Sequence, residues 1–134
     1  MPSPSTISRF REARRTLNGT KVKGTIKVGR GATLIATNIK VVGNIQAENH
    51  ERVVVKGMRS RVGGSIQIVQ GGSATIRNVK VKGDIQLFEN DDAIVVSTNR
   101  VDGNLQCKEN DPEPTGGGNV VEGNAEDQCE SLEV

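Results

Sequence analysis

A glycine returns about every twenty residues along this chain. Gly24, Gly43, Gly64, Gly83, Gly103 and Gly123 are separated by 19, 21, 19, 20 and 20 residues. Two positions before each stands a valine: Val22, Val41, Val62, Val81, Val101 and Val121. Two positions after stand Ile26, Ile45, Ile66, Ile85, Leu105 and Ala125. Between each glycine and that residue lies Thr25, Asn44, Ser65, Asp84, Asn104 or Asn124. Six copies in step specify a repeat architecture, in which no unit buries its apolar face until a neighbour stacks on it.

Within each copy the pattern has period two, so valine, glycine and isoleucine face one way and polar residues the other. The inward series continues at Val28, Ala47, Ile68, Leu87 and Cys107. A second strand aligns Leu34 with Val53, Ala74 and Ile94, and Ala36 with Val55, Ile76 and Val96. "GRGA", "QGGSA" and "ENDDA" lie between the two as turns. Strands that return in register every coil predict an all-β solenoid, a parallel β-helix of about six coils and roughly 29 Å in length. Coil lengths of this size, and the usual hand of parallel crossovers, predict the right-handed form.

Both ends of such a stack need covers. Residues 1–20 are expected to form a basic capping helix, with Ser3 as N-cap, Pro4 at its first position, and Ile7, Phe10, Arg14 and Leu17 at helical spacing. Residues 21–134 are expected to form the solenoid, closing in a degenerate coil where Ala125 replaces isoleucine. Cys107 and Cys129 lie one coil apart, so a disulfide between them would staple that last coil and imply an oxidising compartment.

The composition fits this plan. The chain of 134 residues has 16 glycines, two phenylalanines, and neither tryptophan nor tyrosine. A core without large aromatics must be built from stacked aliphatic side chains. Net charge is +2 but unevenly spread: residues 1–40 carry +8 and residues 84–134 carry −11. No apolar run reaches the ~20 residues that span a bilayer, and no signal peptide is recognised at the start.

The search for chemistry yields little. His50, the lone histidine, is expected to be an exposed loop residue in "AENHER". No nucleophile motif, phosphate loop or zinc spacing occurs. No catalytic, metal-binding or cofactor-binding residue is assigned, and no enzyme activity or cofactor is expected. Missing aromatics weigh against stacking on glycans or on nucleic acid, which is not expected as a partner. Gln46, Gln67, Gln86 and Gln106 align as an outward file whose amides can hydrogen-bond from coil to coil. This file is the candidate binding face.

The "V-x-G-[NDS]-[IL]-Q" copies, followed by "GNLQCKENDPEPTGGGNVVEGNAEDQC", resemble the C-terminal half of short bacterial secreted repeat proteins of unknown function. The repeats also resemble, more distantly, bactofilins, bacterial cytoskeletal solenoids that polymerise end to end. The chain differs from those in coil length, in its cysteine pair and in its basic N-terminal segment. The resemblance implies a secreted or cell-surface solenoid. The expectation is a non-catalytic structural rod, a scaffold or spacer at the bacterial cell surface. Its basic first end and acidic last end suggest head-to-tail assembly with itself, or lateral homo-oligomers. The alternative is an adhesion module that recognises a surface glycan or protein through the polar file.

Overall fold

A computed structural model of the chain describes the backbone of residues 7–10 and all of residues 13–134. Three parallel sheets wrap one core. The first face has seven strands, running from Ile7–Phe10 through Ile26–Val28 to Ala125–Asp127. The second has six, from Arg14–Asn18 through Thr33–Thr37 to Thr115–Gly117. The third has six strands of two residues each, from Lys21–Val22 through Lys40–Val41 to Val120–Val121. Each circuit visits the three faces in turn, and every strand pairs with the one a coil away. The chain is therefore a parallel β-solenoid of about six coils.

Register follows the repeat residue for residue. Ile45, Ile66, Ile85 and Leu105 stand above one another on the first face. Val53, Ala74 and Ile94 align on the second, and Val41, Val62, Val81 and Val101 on the third. All these side chains are buried, together with the remaining valines of the repeat. Each fully buried Val, Leu or Ile contributes about 1.5–3 kcal/mol relative to exposure. Only the stack keeps them dry.

The glycine file occupies the tight corner between the third and first faces. Gly43, Gly64, Gly83, Gly103 and Gly123 each donate N–H to the carbonyl of the preceding glycine at 2.8–3.0 Å. A Cβ on Gly103 would stand 2.7 Å from the Gly83 carbonyl oxygen. The requirement is space between coils rather than an unusual backbone angle. The other two corners do need one. At each, a residue in the left-handed region turns the chain, for example Asn49, Gln70, Glu89 and Glu109 between the first and second faces. Asn38, Asn78 and Thr98 do so between the second and third.

The expected N-terminal helix is not found among the described residues. Ile7–Phe10 and Arg14–Asn18 are strands that begin the first two sheets, with Ile7 paired to Ile26 and Leu17 to Ala36. The spacing of Ile7, Phe10, Arg14 and Leu17 fits a helix, but the exposed edge of the next coil offers a full set of backbone partners. Ser3 and Pro4, read as the helix start, lie outside the described residues. At the other end the last coil does degenerate. After Ala125–Asp127 a short 3₁₀ turn, Glu130–Leu132, lays buried Leu132 over the core. Asn119 N–H donates to the Leu132 carbonyl at 3.2 Å, and Val134 N–H to that of Asn119 at 2.8 Å.

Candidate functional site

Polar side chains are sorted into vertical files. On the first face Gln46 donates its amide to Gln67 at 3.3 Å, Gln67 to Gln86 at 2.8 Å, and Gln86 to Gln106 at 2.9 Å. Gln106 then donates to Glu126 at 3.0 Å. The candidate binding residues are thus brought together, but half-buried and bonded to one another. Each of these amides spends one N–H on its neighbour along the rod.

The residue after each repeat glycine bonds from coil to coil as well. Its side-chain oxygen accepts the backbone N–H of its counterpart one coil on. Asn44 accepts from Ser65 at 2.8 Å, Ser65 from Asp84 at 3.0 Å, Asp84 from Asn104 at 2.7 Å, and Asn104 from Asn124 at 2.9 Å. Short oxygen-bearing side chains are needed here because the tight corner leaves these N–H groups without a strand partner.

Two further polar files are buried at the corners. Asn99 Oδ1 accepts from Val79 N–H at 3.0 Å, while its Nδ2 donates to Ile76 O at 2.9 Å and to Asn119 Oδ1 at 3.0 Å. Asn90 and Asn110 repeat the arrangement at the other corner, where Asn110 ends on Gln128. Sequence reasoning passed over these asparagines. The available signal was their recurrence one coil apart, each directly after a turn residue.

His50 is buried, 3% exposed, rather than a solvated loop residue. It occupies the corner position held by Asn90 and Asn110 further along. The two extra residues of its coil bulge elsewhere, around Gly57–Ser60, where Met58 is exposed. His50 Nε2 lies 3.1 Å from the Ser73 carbonyl, which can only accept, so Nε2 carries the proton. Nδ1 is buried with no partner. Burial lowers the imidazole pKa, against the Ser73 hydrogen bond and the Asp91 and Glu51 carboxylates, which raise it.

Cys107 and Cys129 are both buried and stand at disulfide distance, 5.3 Å between Cα atoms. Among the described residues no group of three or more His, Cys, Asp or Glu side chains is placed to hold a metal ion.

Charge forms the remaining files. On the third face Lys21, Lys40, Arg61, Lys80 and Arg100 stand in register, all exposed. Two residues on, Lys23, Val42, Gly63, Lys82, Asp102 and Glu122 form a second exposed file. A groove of about 600 Å³ follows these two files along the third face. At the corner between the first and second faces, exposed Glu89 and Asp91 lie one coil from Glu109 and Asp111. Among the described residues one ion pair forms, Arg100 to Glu122 at 3.7 Å, with both side chains more than half exposed. The cationic file was readable as the residue before each of the first five repeat valines.

Comparison with protein-family models, with curated proteins and with solved structures finds no match for this chain.

Proposed function

We propose that this protein is a non-catalytic structural rod, a right-handed solenoid that serves as scaffold or spacer at the bacterial cell surface and adds copies head to tail. One observation carries this reading: the polar files kept by the repeat hold coil to coil, from Gln46 to Glu126 and from Thr25 to Asn124. Side chains bonded from coil to coil in this way hold the stack together and call for no ligand. The buried pair Cys107 and Cys129 is compatible with an extracellular location. No helix among the described residues is long and apolar enough to cross a membrane.

Head-to-tail addition follows from the charge gradient, +8 over residues 1–40 against −11 over residues 84–134. Such a heterologous contact does not close on itself. Because the turn at Leu132 covers the C-terminal end, the contact proposed there is between charges, not a continuation of the sheets.

Two measurements test the reading. Sedimentation at about 50 mM and about 500 mM salt should show assemblies at the lower concentration that dissolve at the higher, where screening shortens to a few ångströms. A monomer at both ends the assembly proposal. Fractionation of cells producing the protein should recover it from surface material with the cysteines oxidised. Recovery from cytosol with free thiols would end the cell-surface proposal.

A further inference from the structure

The charged files on the third face are not used by the rod itself. Like charges directly opposite on adjacent strands repel. Yet Lys21, Lys40, Arg61 and Lys80 follow one another at the strand spacing of about 4.8 Å, with no ion-pair partner among the described residues. Stacking needs only the buried valine beside each; the outward position could be threonine or glutamine. A row of cations kept in register at some cost to the fold points to an anionic partner with the same period.

The chain carries such a partner on its opposite side. In a three-faced coil, the corner between the first and second faces lies across from the third face. In the C-terminal coils that corner presents Glu89 and Asp91, then Glu109 and Asp111 one coil on, all exposed and without an ion pair among the described residues. Both surfaces repeat at the same strand spacing. Two cationic rungs, Lys21 with Lys23 and Lys80 with Lys82, place charges two residues apart as Glu89 and Asp91 do; Lys40 and Arg61 each present a single cation, beside Val42 and Gly63. Gly63, bare of side chain, and the groove around it leave room for a protruding corner.

We propose that the acidic corner of one copy docks laterally on the cationic third face of a second copy, axes aligned. The acidic rungs lie toward the C-terminus and the cationic ones reach the N-terminus, so neighbouring rods are staggered. Donor and acceptor surfaces lie on opposite sides of each rod, so the contact repeats without closing and builds a sheet of rods. This rests on the self-assembly reading above and adds contact along the sides to contact at the ends.

Charge exchange tests it by sedimentation of the full chain at about 50 mM salt. The variant Lys40→Glu/Arg61→Glu and the variant Glu89→Lys/Glu109→Lys should each weaken self-association on the order of tenfold or more. The quadruple variant, with both surfaces exchanged, has the native net charge and should associate again. All these positions are exposed, and an unchanged far-UV sheet signal establishes that each variant is folded. Native-like assembly of either double variant would leave contact at the ends in place and overturn the lateral one. Failure of the quadruple variant to associate would overturn it as well. So would a native chain that stays monomeric yet retains polymannuronate or duplex DNA, since the third face would then belong to a foreign polyanion.

Discussion

Gln106 Nε2 donates to the Glu126 carboxylate at 3.0 Å, and with that bond the amide file of the first face reaches its end. A carboxylate only accepts, so it sets the direction of every amide below. Lys27, which only donates, pairs in register with Gln46 at the opposite end. The hydrogen-bonded file thus runs in one direction, from Gln46 to Glu126.

Interrupting this file in the middle should have a measurable but modest effect. Gln86→Leu removes the bonds to Gln67 and Gln106 at a half-buried site. Net hydrogen-bond contributions place the loss at about 1–2 kcal/mol, since water can replace part of what is lost. Urea unfolding should show a lower midpoint with an unchanged slope. No loss at all would mean that the amides gain nothing over solvation.

The buried asparagines should be far less forgiving. Asn99→Leu would strand the Val79 N–H and the Ile76 carbonyl inside the corner. Two unpaired buried groups predict a loss of about 2–4 kcal/mol. Asn99→Ser should recover much of it. Ser60 does the same work at this corner position two coils earlier, accepting from Ile39 N–H and donating to Lys56 O. Thermal unfolding of the two variants side by side checks this; equal loss for serine and leucine would mean that volume, not bonding, governs the corner.

Much of the architecture was legible because the constraints are periodic. The buried files from Val22 to Val121 and from Ile26 to Leu105 follow directly from period two within period twenty. The approach of Cys107 to Cys129 follows from their lying about one coil apart, although the register partner of Cys107 is Asp127. What escaped reading was set by the stack rather than by local sequence. Ile7 to Leu17 fits a helix, and only the open edge of the next coil turns it into strands. His50 looks like a polar turn residue until the corner above closes over it. The roles of Asn44 and Asn104 depend on which N–H groups the tight glycine corner leaves unpaired. The cationic file was visible, but meaningful only once its strands lay side by side.

His50 makes stability depend on pH with a definite sign. In the unfolded chain the imidazole titrates near 6.5, whereas burial lowers its pKa in the folded state. Between those two values the unfolded chain binds more protons, so acid favours unfolding. Stability is therefore full above about pH 6.5, falls as pH drops through that value, and levels off below the folded pKa. The variant His50→Asn, which places at this corner the residue used at Asn90 and Asn110, should flatten that step. Melting temperatures across the window for both proteins check it. An identical acid loss in the variant would assign the step to other groups.

Reduction should loosen one end of the rod and leave the rest standing. The bond between Cys107 and Cys129 closes a sequence separation of 22 residues. On the chain-entropy model it contributes roughly 3 kcal/mol. That contribution is concentrated where the repeat is weakest: Ala125 is only half-buried, and the cover rests on Leu132. Because each coil touches only its neighbours, loss should stay local. Hydrogen exchange in reductant should therefore speed up for amides beyond Val121, while those of Ile45, Ile66 and Ile85 remain protected. Uniform loss of protection along the whole chain would mean that the coils unfold as one cooperative unit, with the last coil holding the others in place.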